Sequence, residues 1–226
     1  MQIKIIDVAE ISSALVCSIC YLYKPSYLNR WFISFLWLTV AVELTAAAFK
    51  YSHFKTDMYN CFYVVEFMFY LSFLRSLLEF EKGKILLKYL IWIFIIFSLI
   101  DVWFLWGLYA YTTHTKTLGA VLVIAVCLYH YIEMVNNNDD VKENLRWPLF
   151  CVATGLLVFY SANLFTDAVY THMSITNPKG LMKLIELILP GSNVTLYGLF
   201  TVAFFIEIYE QKVVGFKADI QPINEQ

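Results

Sequence analysis

The sequence predicts an all-α, polytopic membrane protein with seven transmembrane helices. Of its 226 residues, 60% are hydrophobic and only 15% are charged, whereas soluble domains contain about 45–50% apolar and about 25% charged residues. The hydrophobic residues form continuous runs of about 20, the length that crosses a bilayer. This composition excludes a soluble enzyme, a nucleic-acid-binding protein and a disordered chain, and the net charge of −2 points to no partner.

Charged residues divide the chain into hydrophobic segments that are predicted to be helices, because a bilayer offers no water to unpaired backbone groups. The connections are short, so neighbouring helices are expected to run antiparallel. Pro190-Gly191 is expected to break the last run and to leave a short interfacial helix, 181–189, before the final span. The predicted spans are 5–23, 31–49, 58–78, 85–107, 117–135, 147–169 and 192–209, followed by a short polar cytoplasmic tail, 210–226.

The basic residues predict the orientation of the helices. Six Lys or Arg residues lie on the side of the N-terminus and ten on the opposite side. Because cytoplasmic loops are richer in basic residues, the N-terminus is predicted to be outside and the C-terminus in the cytoplasm. Arg75, Lys82, Lys84 and Lys88 cluster on the predicted cytoplasmic side. They could dock an acidic partner domain, although orientation alone also requires basic residues there.

Acidic residues inside a membrane are costly and often mark function. Glu43 and Glu66 lie well inside predicted spans, and no Lys or Arg is expected deep enough to pair with such acids. With alternating helix directions, polar residues from six helices, including Asp7 and Glu10 of the first, fall in the predicted outer half. Many of these residues are expected only to bond neighbouring helices, at about 0.6 kcal/mol each. The candidate ligand-binding residues of a predicted outer-half polar cavity are Glu43, Asn60, Glu66, Asp101, Ser161, Asn163, Asp167 and Asn193.

Histidines and acids suggest a zinc site as a second candidate. Three predicted outer loops each carry a histidine, and one of these residues stands four positions before an aspartate. These ligand types suit zinc, although loop histidines are often merely solvated. No other cofactor is predicted, and retinal is excluded because the span 192–209 contains no lysine. His130 is expected at the inner membrane interface. The candidate zinc ligands are His53, Asp57, His114 and His172.

Three motifs lie in the second, third and sixth predicted spans. They are Val42-Glu43-Leu44, Tyr59-Asn60-x-x-Tyr63-x-x-Glu66-Phe67 and Gly155-Leu-Leu-Val-Phe-Tyr-Ser161-Ala162-Asn163-Leu-Phe165. Together they resemble a family of small seven-helix membrane proteins of Bacteroidetes whose activity is not established. That family usually has Ser-Gly-Asn in the sixth span, where this chain has Ala162. The resemblance implies the fold and an inner-membrane location, and the family's association with signalling kinases suggests sensing.

Three functions are consistent with these features. The first is a small-ligand-binding sensor or accessory subunit, which would bind a small polar or cationic molecule and act on a cytoplasmic signalling partner. The second is a proton- or cation-coupled transporter that uses intramembrane carboxylates. The third, which is the least favoured, is a metal-dependent intramembrane lipid hydrolase with outer acids and loop histidines around a metal. No Ser or Cys has an evident general-base partner, so a nucleophilic triad is not indicated either. In each case the lipid bilayer is the expected surrounding and nucleic acid is not an expected partner.

Overall fold

The computed structural model describes residues 5–49, 53–102, 113–136, 147–176 and 179–220. In these ranges the chain forms seven α-helices and no strand. This result confirms the predicted all-α fold class. The helices are α1 (Ile5–Tyr23), α2 (Tyr27–Ala48), α3 (His53–Leu77), α4 (Glu81–Ile100), α5 (Thr113–Asn136), α6 (Trp147–Thr176) and α7 (Lys179–Ile220).

Six of the described helices, all except α3, are long and apolar enough to cross a membrane. The chain is therefore a polytopic α-helical membrane protein. Helix α3 has 25 residues and is about 37 Å long at ~1.5 Å per residue, but it carries four charged residues. Lys55, Asp57 and Arg75 lie near its ends, whereas Glu66 lies in its middle. The topological orientation predicted from the basic residues stays a prediction.

Six helices of the described chain form a closed ring in the order α1, α2, α3, α5, α6 and α7, and α4 packs outside this ring against α3 and α5. Aromatic side chains fill the centre of the ring. The ring centroids of Phe32 and Phe200 are 5.0 Å apart, and those of Tyr70 and Tyr160 are 6.0 Å apart. Edge-to-face pairs of this kind are favourable beyond their buried area. The interior of the ring around these side chains is therefore a packed core.

Contacts between helix ends define the direction of neighbouring helices. The backbone N–H of Leu28, at the start of α2, donates to Oε1 of Glu207 late in α7 at 3.4 Å. Asp101, which directly follows α4, accepts from the backbone N–H of Thr115 near the start of α5 at 3.1 Å. Both pairs of helices are thus antiparallel, as expected for spans that alternate in direction along the chain.

The expected break at Pro190-Gly191 is wrong, because α7 runs without interruption through Pro190. Proline removes one backbone N–H but is tolerated in membrane helices where other groups satisfy the freed backbone atoms. Here the Ser192 hydroxyl and the Asn193 amide both donate to the Leu189 carbonyl, at 3.0 Å each. The carbonyl that loses its donor at Pro190 is that of Glu186, four residues earlier, so these two bonds strengthen the turn after the proline and do not replace the missing bond.

Candidate functional site

A cavity lies inside the helix ring. It is in the half of the bundle where α3 and α5 begin and where α2 and α6 end. We call this half the polar end. It encloses about 160 Å³. Every helix of the ring contributes side chains to its wall, whereas α4 contributes none. The lining residues are Glu10, Thr39, Glu43, Tyr59, Phe62, Tyr63, Glu66, Phe67, Lys116, Phe159, Tyr160, Asn163, Asn193 and Tyr197.

Three carboxyl groups from three helices line the cavity, and each is hydrogen-bonded to a tyrosine. The Tyr59 hydroxyl donates to Oε2 of Glu43 at 2.8 Å, and the Tyr160 hydroxyl donates to Oε1 of Glu66 at 3.0 Å.

The third carboxyl, that of Glu10 on α1, has a hydrogen bond with Tyr197 and lies close enough to Glu43 and Glu66 for their charges to interact. Glu10 is only 4% exposed. Glu43 and Glu66 are half-buried, and the three acids thus line one space inside the helix ring.

The uncharged polar groups of the cavity add further hydrogen-bond acceptors. The Asn163 amide nitrogen donates to the Phe159 carbonyl at 2.9 Å, and the Asn193 amide nitrogen donates to the Leu189 carbonyl at 3.0 Å. These bonds fix the orientation of both amides, because a carbonyl can accept only from the NH₂ group. The Thr39 hydroxyl likewise donates to its own helix at 3.0 Å. The cavity therefore contains many acceptor oxygens and few donors.

Lys116 is the one basic residue among those that line the cavity. Its Nζ lies 3.0 Å from Oδ2 of Asp167, and the two side chains are 23% and 28% exposed. The expectation that no lysine or arginine reaches the intramembrane acids is therefore wrong. Helix α5 begins at Thr113, earlier than predicted, so Lys116 belongs to the helix, and its long side chain reaches the acid on α6.

Aromatic rings form the rest of the wall. The ring of Phe67 lies 5.2 Å from that of Tyr160, and the rings of Tyr59 and Tyr63 are stacked at 6.1 Å. Such faces attract organic cations as well as apolar groups. The cavity thus combines acidic oxygens with aromatic surfaces.

The structure brings Glu43, Glu66, Asn163 and Asn193 together in the cavity, but it places the other predicted ligand-binding residues elsewhere. Asp167 does not line the cavity, but it forms an ion pair with Lys116, which does.

The three remaining candidates occupy sites outside the cavity. Asp101 is fully buried and accepts from the backbone and the hydroxyl of Thr115, the latter at 2.7 Å, so it caps α5. Asn60 is fully buried and does not line the cavity, and Ser161 is exposed on the outside of α6.

The zinc site stays a prediction. The side chains of His53 and His172 fall outside the part of the chain that is described, while His114 is exposed at the start of α5. In that described part, no group of three or more metal-binding side chains occurs. Asp57 lies on α3, and one of its carboxylate oxygens is buried with no hydrogen-bond partner among the described residues.

Sequence reasoning missed the tyrosines and the importance of Glu10. The missed tyrosines lie within hydrophobic segments, where the sequence gives no reason to distinguish them from apolar residues. They are Tyr59, Tyr63, Tyr160 and Tyr197. Their signal is spacing: Tyr59, Tyr63 and Glu66 recur at intervals of four and three on α3, which places them on one helix face. Glu10 is predicted in the outer half with the other polar residues, but its position near the start of the first span does not single it out as a ligand-binding residue.

No protein-family model matches this chain, and no significant similarity was found to any curated protein or solved structure.

Proposed function

We propose that this protein is a membrane sensor or accessory subunit that binds a small organic cation, such as a primary amine, in the cavity at the polar end. One observation carries the proposal: three tyrosine-bonded carboxyls from α1, α2 and α3 surround a single cavity together with only one lysine. Acids in the membrane interior pair with one another, with a cation or with a ligand. An ammonium group supplies both the charge and the donors that this lining lacks.

The balance of donors and acceptors specifies the chemistry of the ligand. The tyrosine hydroxyls donate to the acids, and the two asparagine amides donate to their own helices. The lining thus offers mainly acceptor oxygens to a guest. A primary ammonium has three N–H donors, and hydrogen bonds to charged groups contribute about 1.5–3 kcal/mol each. A carboxylate or phosphate ligand would meet acidic oxygens on three sides.

The volume of the cavity limits the size of the ligand. Its 160 Å³ is close to the ~150 Å³ of an engineered protein cavity that holds benzene. A guest of about six to ten non-hydrogen atoms therefore fits. At roughly 1 kcal/mol per atom, within the range found for very small ligands, the dissociation constant would be about 1 µM.

Helix α7 gives the cavity a connection to the opposite end of the bundle and supports the sensing role. Asn193 and Tyr197 line the cavity, and the same helix carries Glu207, which binds the start of α2 through Leu28. A ligand that shifts α7 would alter this contact. The cytoplasmic signalling partner, the outside location of the N-terminus and the inner-membrane location remain parts of the proposal, the last on the resemblance to the Bacteroidetes family.

Calorimetric titration of the purified protein in lipid nanodiscs tests the proposal. Benzylamine and benzyl alcohol form a matched pair, because they have the same shape and only the amine is cationic. We expect benzylamine to bind in the micromolar range and benzyl alcohol to bind at least tenfold more weakly. Equal binding of the two compounds, or binding of neither benzylamine nor any other small amine, would rule out a cation site.

Variants connect the binding to the cavity. Glu66→Gln and Tyr160→Phe should each weaken benzylamine binding about tenfold, the equivalent of one charge-assisted hydrogen bond. Glu186→Gln is the control, because Glu186 is an exposed residue of α7 and its substitution should leave the affinity unchanged. Uptake of labelled amine into proteoliposomes would assign the protein to the cation-coupled carriers instead of the sensors.

A further inference from the structure

A narrow crevice lies between α1 and α2, directly beside the cavity at the polar end. Its apolar wall is formed by one side chain of α1 and three of α2, namely Ile11, Val40, Leu44 and Ala47. Glu10 and Glu43 line the crevice and also line the cavity. Leu44 is 42% exposed, so the crevice reaches the outer surface of the bundle. Between α1 and α2, the two carboxyl side chains therefore separate the cavity from that surface.

The crevice is closed in this conformation but is built to open. It encloses about 10 Å³, which is room for a single water molecule, so an organic amine cannot pass. Its apolar side chains can move apart without breaking hydrogen bonds. Farther along the two helices, the Trp37 indole donates to the Ser18 hydroxyl at 2.9 Å. Ser18 lies about two turns after Ile11, so the crevice can widen while this bond still joins α1 to α2.

The charges around the helix ring favour the crevice as the entrance for a cation. Asp7 lines the crevice together with Glu10 and Glu43. Lys116 and Asp167 form their ion pair between α5 and α6, on the side of the ring opposite α1 and α2. A cleft lined by charges of one sign raises the association rate of an oppositely charged ligand by roughly 10- to 1,000-fold. An ammonium group is thus attracted along the α1–α2 side and meets a neutral ion pair on the other.

We propose that this crevice is a lateral gate through which the amine enters the cavity from the membrane, and that the ligand is therefore an amphiphilic amine. This inference rests on the cation site proposed above and specifies its ligand class. An amphiphilic amine keeps its ammonium group in water and its apolar part in hydrocarbon, as lysine side chains do at membrane interfaces. Asp7, which lines the crevice but not the cavity, attracts the ammonium group. Glu10 and Glu43 then receive it, while the apolar part passes between Ile11 and Leu44.

The rates of benzylamine binding test the gate, measured by surface plasmon resonance on the full chain in lipid nanodiscs. Ala47→Phe places a ring in the crevice and should slow both association and dissociation at least tenfold. The dissociation constant should stay the same, because a gate changes the barrier to binding and not the bound state. Ala48→Phe is the matched control, since Ala48 is the next residue of α2, is exposed and does not line the crevice. Equal rates for the two variants overturn the proposal.

A pair of amines tests the route from the membrane. Hexylamine and hexane-1,6-diamine have the same carbon chain, but the second ammonium group keeps the diamine out of hydrocarbon. We expect the diamine to associate at least tenfold more slowly than hexylamine. Association of the diamine at an equal or higher rate shows entry from water and overturns the lateral gate.

The two proposals fail in different ways. If the unaltered protein binds none of these amines, the cation site itself is refuted. If the amines bind with the expected affinity but Ala47→Phe leaves their rates unchanged, only the gate is refuted.

Discussion

Substitution of Gly119 by alanine tests the closest approach in the helix ring. Gly119 lies on α5 against α3, and a Cβ atom added there would be 2.5 Å from Cδ2 of Phe67. Ordinary van der Waals contact begins at 3.4 Å, so the ring of Phe67 would have to move by 0.9 Å (3.4 − 2.5). Phe67 is 1% exposed and is backed by the rings of Phe94 and Tyr160 at 5.7 and 5.2 Å. The movement therefore compresses the core or the cavity.

The expected cost of this overpacking is about 1–3 kcal/mol. Gly198→Ala on α7 is the matched control, because its Cβ would have no heavy atom within 4 Å. Both substitutions gain the same helix propensity, about 1 kcal/mol, so the difference between them isolates the contact with Phe67. At roughly 2–4 °C per kcal/mol for a chain of this size, the unfolding midpoint of Gly119→Ala should be about 2–12 °C below that of Gly198→Ala.

Thermal unfolding in detergent, followed by the intrinsic tryptophan fluorescence, measures this difference. Gly119→Ala should also weaken benzylamine binding, because Phe67 lines the cavity. Equal midpoints for the two variants would refute the close packing of α5 on Phe67, and with it the shape of the cavity wall on that side.

Two further substitutions test polar contacts at the polar end. Thr115→Val should lower the free energy of unfolding by about 0.6–1.7 kcal/mol, the range for hydrogen bonds in membrane proteins, because it removes the 2.7 Å bond to Asp101. The control Thr113→Val, at an exposed position, should have little effect. Equal losses of stability for the two variants in chemical unfolding would contradict the capping role of Asp101. Lys116→Met should strengthen benzylamine binding several-fold in calorimetric titration, because it removes the positive charge of the wall and leaves Asp167 without its cation. Weaker binding to Lys116→Met would instead indicate a ligand with an anionic group.

The depth of the polar residues along the helix axes could be predicted, because it depends only on the bounds of the helices and on their alternating direction. Glu43 falls late in the predicted span 31–49 and Glu66 in the first half of the predicted span 58–78, so antiparallel helices place both carboxyls in the same half of the bundle. Asn163 and Asn193 follow by the same argument. These four residues do line one cavity.

The rotation of each helix about its axis could not be predicted in the same way. Asp101 shares the predicted level of Glu66, but it faces Thr115 near the start of α5 instead of the cavity, because α4 packs outside the ring. Ser161 directly follows Tyr160, yet neighbouring residues of a helix point about 100° apart, and only Tyr160 faces inward. Which helices form the ring depends on packing between segments distant in sequence, and that packing has no local sequence signal.

The extent of the helices was harder to predict where charged or helix-breaking residues occur. Lys116 was expected in a loop because charge normally ends a hydrophobic span, but the helix begins three residues earlier and Asp167 compensates the lysine. Pro190 was expected to end a helix, but α7 continues through it. In both places the helix extends past a residue that locally disfavours it.

A structure determined by electron cryo-microscopy in lipid nanodiscs with benzylamine bound is the most direct test of the central claim, that carboxyls of α1, α2 and α3 share one cavity. We expect density for the amine inside the ring, with its nitrogen about 3 Å from at least two of the carboxyl groups of Glu10, Glu43 and Glu66. Carboxyl groups that point toward lipid, or an amine bound elsewhere on the protein, would contradict the claim.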